Sequence, residues 1–145
     1  MPGRFAHRIV RLVTIAGFVL VTGAAFAQEP SATEILGIPR DATVLEGLPD
    51  VRVDVTDETV TRRQLDADES ENVRLRMRVR DGRLFSDEGP LSVSESGGFT
   101  YLTSTRPGRY VRLRRLNDRL LYAEHIDMGE RSVTYWGELR VVIGR

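Results

Sequence analysis

The chain of 145 residues contains no cysteine and no lysine. Without cysteine no disulfide can staple the fold, and no thiolate is available as nucleophile or metal ligand. Without lysine there is no Schiff-base amine and no phosphate-gripping lysine of a P-loop. All 21 basic residues are arginine. Histidine is nearly absent as well, with His7 and His125 alone. A zinc centre needs several nitrogen or sulfur ligands, which a single histidine in the body of the chain does not supply. No Gly-x-Ser-x-Gly elbow accompanies His125, so a hydrolase triad has no foothold. The expectation is a non-enzymatic protein with no catalytic residues, no cofactor and no metal. Internal repeats and low-complexity tracts are also missing.

The N-terminus has a definite character. Arg4, Arg8 and Arg11 precede the apolar run LVTIAGFVLVTGA, and Ala25-Phe26-Ala27 supplies small residues at the cleavage positions. This is the layout of a secretory signal peptide. The run is short and broken by Gly and Thr, below the roughly 20 residues of a membrane span. The expectation is cleavage after Ala27, a periplasmic or secreted protein, and no transmembrane segment in the mature chain. Removing residues 1–27 from the 145 leaves 118, enough for one domain with one core. Three arginines leave with that segment, so 18 basic residues face 21 acidic ones, a net charge of −3. Such a balance argues against a nucleic-acid partner.

Residues 28–50 read as a leader that packs on the domain. Ser31-Ala-Thr-Glu34 has the form of a capping box, so one helical turn through Ile35 and Leu36 is expected, ended by Gly37 and Pro39. From residue 51 the pattern has period two. Strands are expected over 51–55, 58–65, 72–80, RLF after the Asp81-Gly82 turn, LSVSE, FTYLTST, RYVRLRRL, RLLYAEHI and 132–144. The links between them are too short for the crossovers of a parallel sheet. Residues 51–145 are therefore expected to be all-β, an antiparallel meander of eight to nine strands. A meander of that length closes into a small up-and-down barrel or, alternatively, folds as a β-sandwich. Whether the last strand pairs with an early one decides closure; left as an edge, it offers a route to a homodimer.

Two sets of side chains draw attention. The first is a row of arginines. Arg74, Arg76, Arg78 and Arg80 alternate with Val73, Leu75, Met77 and Val79. Residues two apart on a strand stand roughly 6.5–7 Å apart on one face. Guanidinium groups at that spacing repel by about 0.6 kcal/mol in water. Burial of each apolar residue opposite contributes roughly 1.5–3 kcal/mol. The apolar face thus places the strand, and the arginines follow the pleat. With Arg112 and Arg114 they would form an anion-binding face for an envelope polymer, lipid or protein, provided strand 109–116 lies beside strand 72–80. The second set is aromatic. Phe99, Tyr101, Tyr122 and Trp136 are expected to line an interior that carries a small apolar or amphipathic ligand.

The acidic segment DADESEN, 66–72, places Asp66, Asp68, Ser70 and Asn72 at the first four ligand spacings of a calcium loop. Glu71 stands where that loop needs glycine and Met77 where it needs glutamate, so the segment reads as a charged hairpin loop.

Overall fold

The computed structural model describes residues 30–144, so the expected signal peptide lies outside the described residues. Ten antiparallel strands form one sheet, and nine of them follow the order β5-β4-β3-β1-β10-β9-β8-β7-β6. The sheet curls into a nearly closed barrel, the first of the two architectures expected, with β5 and β6 at the two ends of the path.

The chain enters through α1 (Ala32–Leu36). Ser31 Oγ accepts from the Glu34 N–H while the Glu34 carboxylate accepts from the Ser31 N–H, and Gly37 ends the turn at φ 59°. α1 packs Ala32 and Leu36 into the core. It also ties two distant hairpins together. Thr33 N–H donates to the Gly82 carbonyl at 3.3 Å, and Arg115 donates to the Leu36 carbonyl at 2.6 Å.

β1 (Ala42–Thr56) is the spine of the sheet. The expected domain boundary at residue 51 falls in its middle, because the strand runs through Gly47 and Pro49 without a break. It pairs along its length with β10 (Arg131–Ile143). On its other edge it pairs first with β3 (Leu75–Arg80), at residues 44–47, and then with β2 (Val60–Gln64), at residues 51–55. The changeover coincides with a register shift between Pro49 and Val51 that leaves Asp50 as the extra residue. Such a bulge exchanges the two faces of the strand. Before it, Leu45, Gly47 and Pro49 point inward and are buried; after it, Val51 stands opposite Trp136 on the outer side.

Between β2 and β3 the expected hairpin loop is a helix, α2 (Ala67–Asn72). Asp66 caps it by accepting from the Glu69 N–H at 2.8 Å, and Glu69 in turn holds Arg63. These carboxylates are engaged as caps and ion-pair partners, and no group of three or more histidine or acidic side chains placed to hold a metal ion occurs among the described residues. Strand β3 consequently begins at Leu75 rather than 72.

The remainder is a meander. β4 (Arg83–Ser86) and the two-residue β5 (Gly89–Pro90) are followed by β6 (Ser92–Ser96), β7 (Phe99–Thr103), β8 (Arg109–Leu116) and β9 (Arg119–Asp127). The Asp81-Gly82 turn joins β3 to β4 with φ of 50° and 71°, as a type I′ hairpin turn requires. β10 lies between β1 and β9 and so is not an edge; the free edges belong to β2, β5 and β6.

The interior is packed. Leu45, Met77, Leu84, Leu102 and Leu113 are at most 1% exposed, and Tyr122 lies among them at 2%. The seam between β4–β5 and β7–β8 has no backbone ladder and is bridged by side chains. Glu88 accepts from Ser104 at 3.2 Å, Arg106 at 3.0 Å and Arg109 at 3.3 Å. Arg109 continues inward to the buried Glu124 at 2.6 Å. The space beneath this clasp is about 20 Å³, room for one water. No helix of the described residues is long and apolar enough to cross a membrane.

Candidate functional site: an arginine–aromatic groove on the outer face

Alternation decides which side chains share a surface. Leu102, Val111, Leu113 and Tyr122 point inward, so their chain neighbours Tyr101, Arg112, Arg114, Leu121 and Ala123 point outward. The ladder pairs Tyr101 with Arg112, Arg112 with Ala123, and Ala123 with Trp136. These residues form a transverse row across four strands of the outer face.

A groove of about 460 Å³ lies on this row. Arg112 occupies its centre. The guanidinium carbon is 4.7 Å from the Phe99 ring centre and 5.4 Å from that of Trp136, so aromatic rings cover it on two sides. Arg114 stands over Phe99 as well, at 5.6 Å. Neither arginine has an acidic partner or a side-chain hydrogen bond among the described residues. Stacking of this kind uses the π-faces of a guanidinium, whereas its five N–H donors lie in the plane. Arg112 thus lies against two aromatic rings with no side-chain acceptor taking its donors among the described residues. The floor and walls are apolar: Leu48 on β1, Leu121 and Ala123 on β9. The rim carries Arg119 paired to Glu138 at 2.8 Å, and Asp50 of the bulge.

No family model matches this chain, nor does any curated protein or solved structure. What the groove can do follows from its own chemistry.

The placement of the expected site residues changes accordingly. Phe99, Tyr101 and Trp136 do not line an interior; they stand outside, Trp136 being 41% exposed. Their parity opposite Leu102 and Tyr122 is the reason. Tyr122 alone points inside, and even it borders the groove that Phe99 and Trp136 line. Its ring lies against the backbone of Gly47 and Gly137, and its hydroxyl has no hydrogen-bond partner among the described residues. Burial pushes its pKa well above the usual tyrosine value.

The arginine rows do not merge either. β1, β10 and β9 separate β3 from β8, a path of four inter-strand steps or roughly 19 Å. Arg74 and Arg76 are compensated by Glu46 of β1, and Arg74 by Glu71 as well. Arg78 and Arg80 make no ion pair among the described residues. Leu48, Leu121 and Glu138 belong to the groove although sequence reasoning did not single them out. The signal for Leu121 was present, since it alternates with inward Leu120 and Tyr122.

His125 also faces outward. Its Nδ1 lies 3.1 Å from Thr134 Oγ1 and its ring 5.0 Å from that of Tyr110. Its neighbours are thus a threonine and an aromatic ring rather than an acid and a serine.

Proposed function

We propose that this is a non-enzymatic binding protein, acting outside the cytoplasm, that holds a small amphipathic anion in the outer-face groove. The β-barrel fold is compatible with a binding protein, and the packed interior favours the outer face over internal carriage. One observation carries the reading: Arg112 lies against the rings of Phe99 and Trp136 and has no acidic or hydrogen-bonding side-chain partner among the described residues. A planar fork held in that manner matches the two oxygens of a carboxylate or phosphate head group. The apolar lining of Leu48, Leu121 and Trp136 accepts the body of the ligand, and about 460 Å³ lies within the usual range for small-molecule sites.

Trp136 is the sole tryptophan, so its fluorescence reports on the groove directly. Titration with dodecanoate should change that emission, whereas dodecanol, with the same chain and no charge, should bind more weakly. A hydrogen bond to a charged group contributes about 1.5–3 kcal/mol, so Arg112→Gln should weaken dodecanoate binding by roughly 10- to 100-fold and leave dodecanol unchanged. Equal affinity for acid and alcohol would exclude the arginine fork. The extracytoplasmic assignment rests on the N-terminal pattern of residues 1–27, and N-terminal sequencing of exported protein should begin at Gln28.

A further inference from the structure

Among the described residues seven arginines make no ion pair or side-chain hydrogen bond, and Arg62 on β2 and Arg140 on β10 stand apart from the rest. Arg112 and Arg114 belong to the groove above, and three others gather around the β3–β4 hairpin. Arg78 lies between Val44 on β1 and Phe85 on β4, with no acid opposite on either side. Arg80 stands directly opposite Arg83. All three are exposed on the outer face, and none makes an ion pair or a side-chain hydrogen bond among the described residues. Like charges directly opposite one another on a sheet are destabilising. Arg76, one pleat away, shows the ordinary solution, with Glu46 opposite at 3.4 Å. The hairpin thus keeps three arginines together without an ion pair, although Asp81 lies in its turn and Asp87 just beyond β4.

The cluster borders a trough of about 450 Å³ between β1 and β4. Arg76, Arg78 and Arg80 line it, neighbours standing roughly 6.5–7 Å apart along the strand, and Asp87 is the one carboxylate among the lining residues. Val44 and the half-buried Phe85 provide flat apolar surface beside them. From this arrangement we infer a second binding site, for a linear acidic polysaccharide lying along β3. Successive carboxylates pair with Arg78 and with the Arg80–Arg83 pair, and a sugar face rests on Phe85. A single small anion would leave the spaced row half used. A bilayer is flat and rewards apolar side chains that project, whereas Phe85 is recessed. The site lies on a different part of the surface from the amphipathic-anion groove and does not depend on it.

The experiment uses a fluorescently labelled linear galacturonate oligomer of about ten sugars, with binding read by anisotropy at 50 and 200 mM salt. The full protein should bind it, with affinity falling by 10-fold or more between the two salt concentrations, because several ion pairs are made at once. The double variant Arg78→Gln/Arg80→Gln should lose at least 10-fold at 50 mM salt. The charge-matched control Arg62→Gln/Arg63→Gln, altered at exposed arginines of β2 that do not line the trough, should bind as the parent does. Circular dichroism confirms that each variant is folded. Absence of binding at 50 mM salt overturns the inference, as does an equal loss in the two double variants. Tighter binding of phosphatidylglycerol vesicles or of single-stranded DNA than of the galacturonate would overturn the choice of a polysaccharide.

Discussion

Gly47 should tolerate no larger residue, and the reason is a neighbour 75 positions away in the chain. An alanine Cβ built there would stand 2.5 Å from Cε1 and 2.8 Å from Cζ of Tyr122, and 3.0 Å from Cδ2 of Leu139. Carbon atoms in contact normally sit about 3.5–4.0 Å apart, so the ring must move by roughly 1 Å. The ring is packed over two glycines at once: Tyr122 is 2% exposed, and a Cβ on Gly137 would stand 2.9 Å from the same Cε1. Glycine to alanine within a strand ordinarily stabilises by about 0.5–1 kcal/mol through the unfolded chain. Overpacking a core costs about 1–3 kcal/mol. Gly47→Ala should therefore destabilise by about 1–2 kcal/mol net, lowering the melting temperature by roughly 3–10 °C. Urea denaturation followed by far-ultraviolet circular dichroism measures this. A double-mutant cycle isolates the cause. In a Tyr122→Leu background, where the ring is gone, Gly47→Ala should be neutral or stabilising, giving a coupling of about 1 kcal/mol or more. If Gly47→Ala stabilises the parent protein, or costs the same in both backgrounds, the ring-on-glycine contact does not govern this part of the barrel.

Two further outcomes are expected. Tyr122→Phe removes a buried hydroxyl that has no hydrogen-bond partner among the described residues, so stability in urea should be unchanged or rise by about 1 kcal/mol; a loss larger than that would mean the hydroxyl is bonded. Asp54 gives a pH signature. The Arg52 guanidinium, at 2.7 Å, and then Arg131 hold its carboxyl down to about 2. A depressed folded-state pKa contributes stability that is complete above the unfolded value near 3.8 and is lost as pH falls towards 2. The full shift corresponds to about 2 kcal/mol, which solvent near the carboxylate trims to about 1–2 kcal/mol. Asp54→Asn should flatten the fall in urea midpoint between pH 4 and 2 relative to the parent, and an unchanged slope would remove Asp54 from the account.

Much of the barrel was legible because a strand buried on one face must alternate. β8, β9 and β10 lie within a residue or two of where the pattern places them, and the Ser31 capping box gave α1. The misses share a physical cause, which is that partners across the sheet overrode local signals. Gly47 and Pro49 read as breaks in a leader, yet both belong to β1. Pro49 is tolerated because it falls where β1 has left β3 and has not yet met β2, beside the Asp50 bulge. Gly47 is a packing surface for Tyr122. In 66–72 the calcium-like spacing drew attention from Asp66-x-x-Glu69, a capping box as good as the one at Ser31. Aromatic character alone points Phe99, Tyr101 and Trp136 to the interior, although Leu102 and Tyr122 already hold the inward parity.

The arginines show why a site can escape one-dimensional reading even when its residues do not. Arg74, Arg76, Arg78 and Arg80 are equivalent in sequence, each flanked by apolar neighbours. That holds for the first three, while Arg80 is followed by Asp81, and register makes them further unequal. The β1–β3 ladder sets Glu46 opposite Arg76 and Val44 opposite Arg78, and the β3–β4 turn sets Arg83 opposite Arg80. A slip of two residues between β1 and β3 would keep every inward residue inward and bring Glu46 opposite Arg78 instead. The hydrophobic pattern cannot tell these registers apart, because it repeats every two residues. The Asp81-Gly82 turn sets the β3–β4 register, and the α2 link ties β3 to β1, where Ser70 Oγ donates to the Pro49 carbonyl. The free charge at Arg78 and Arg80 thus depends on features that lie outside the strand itself.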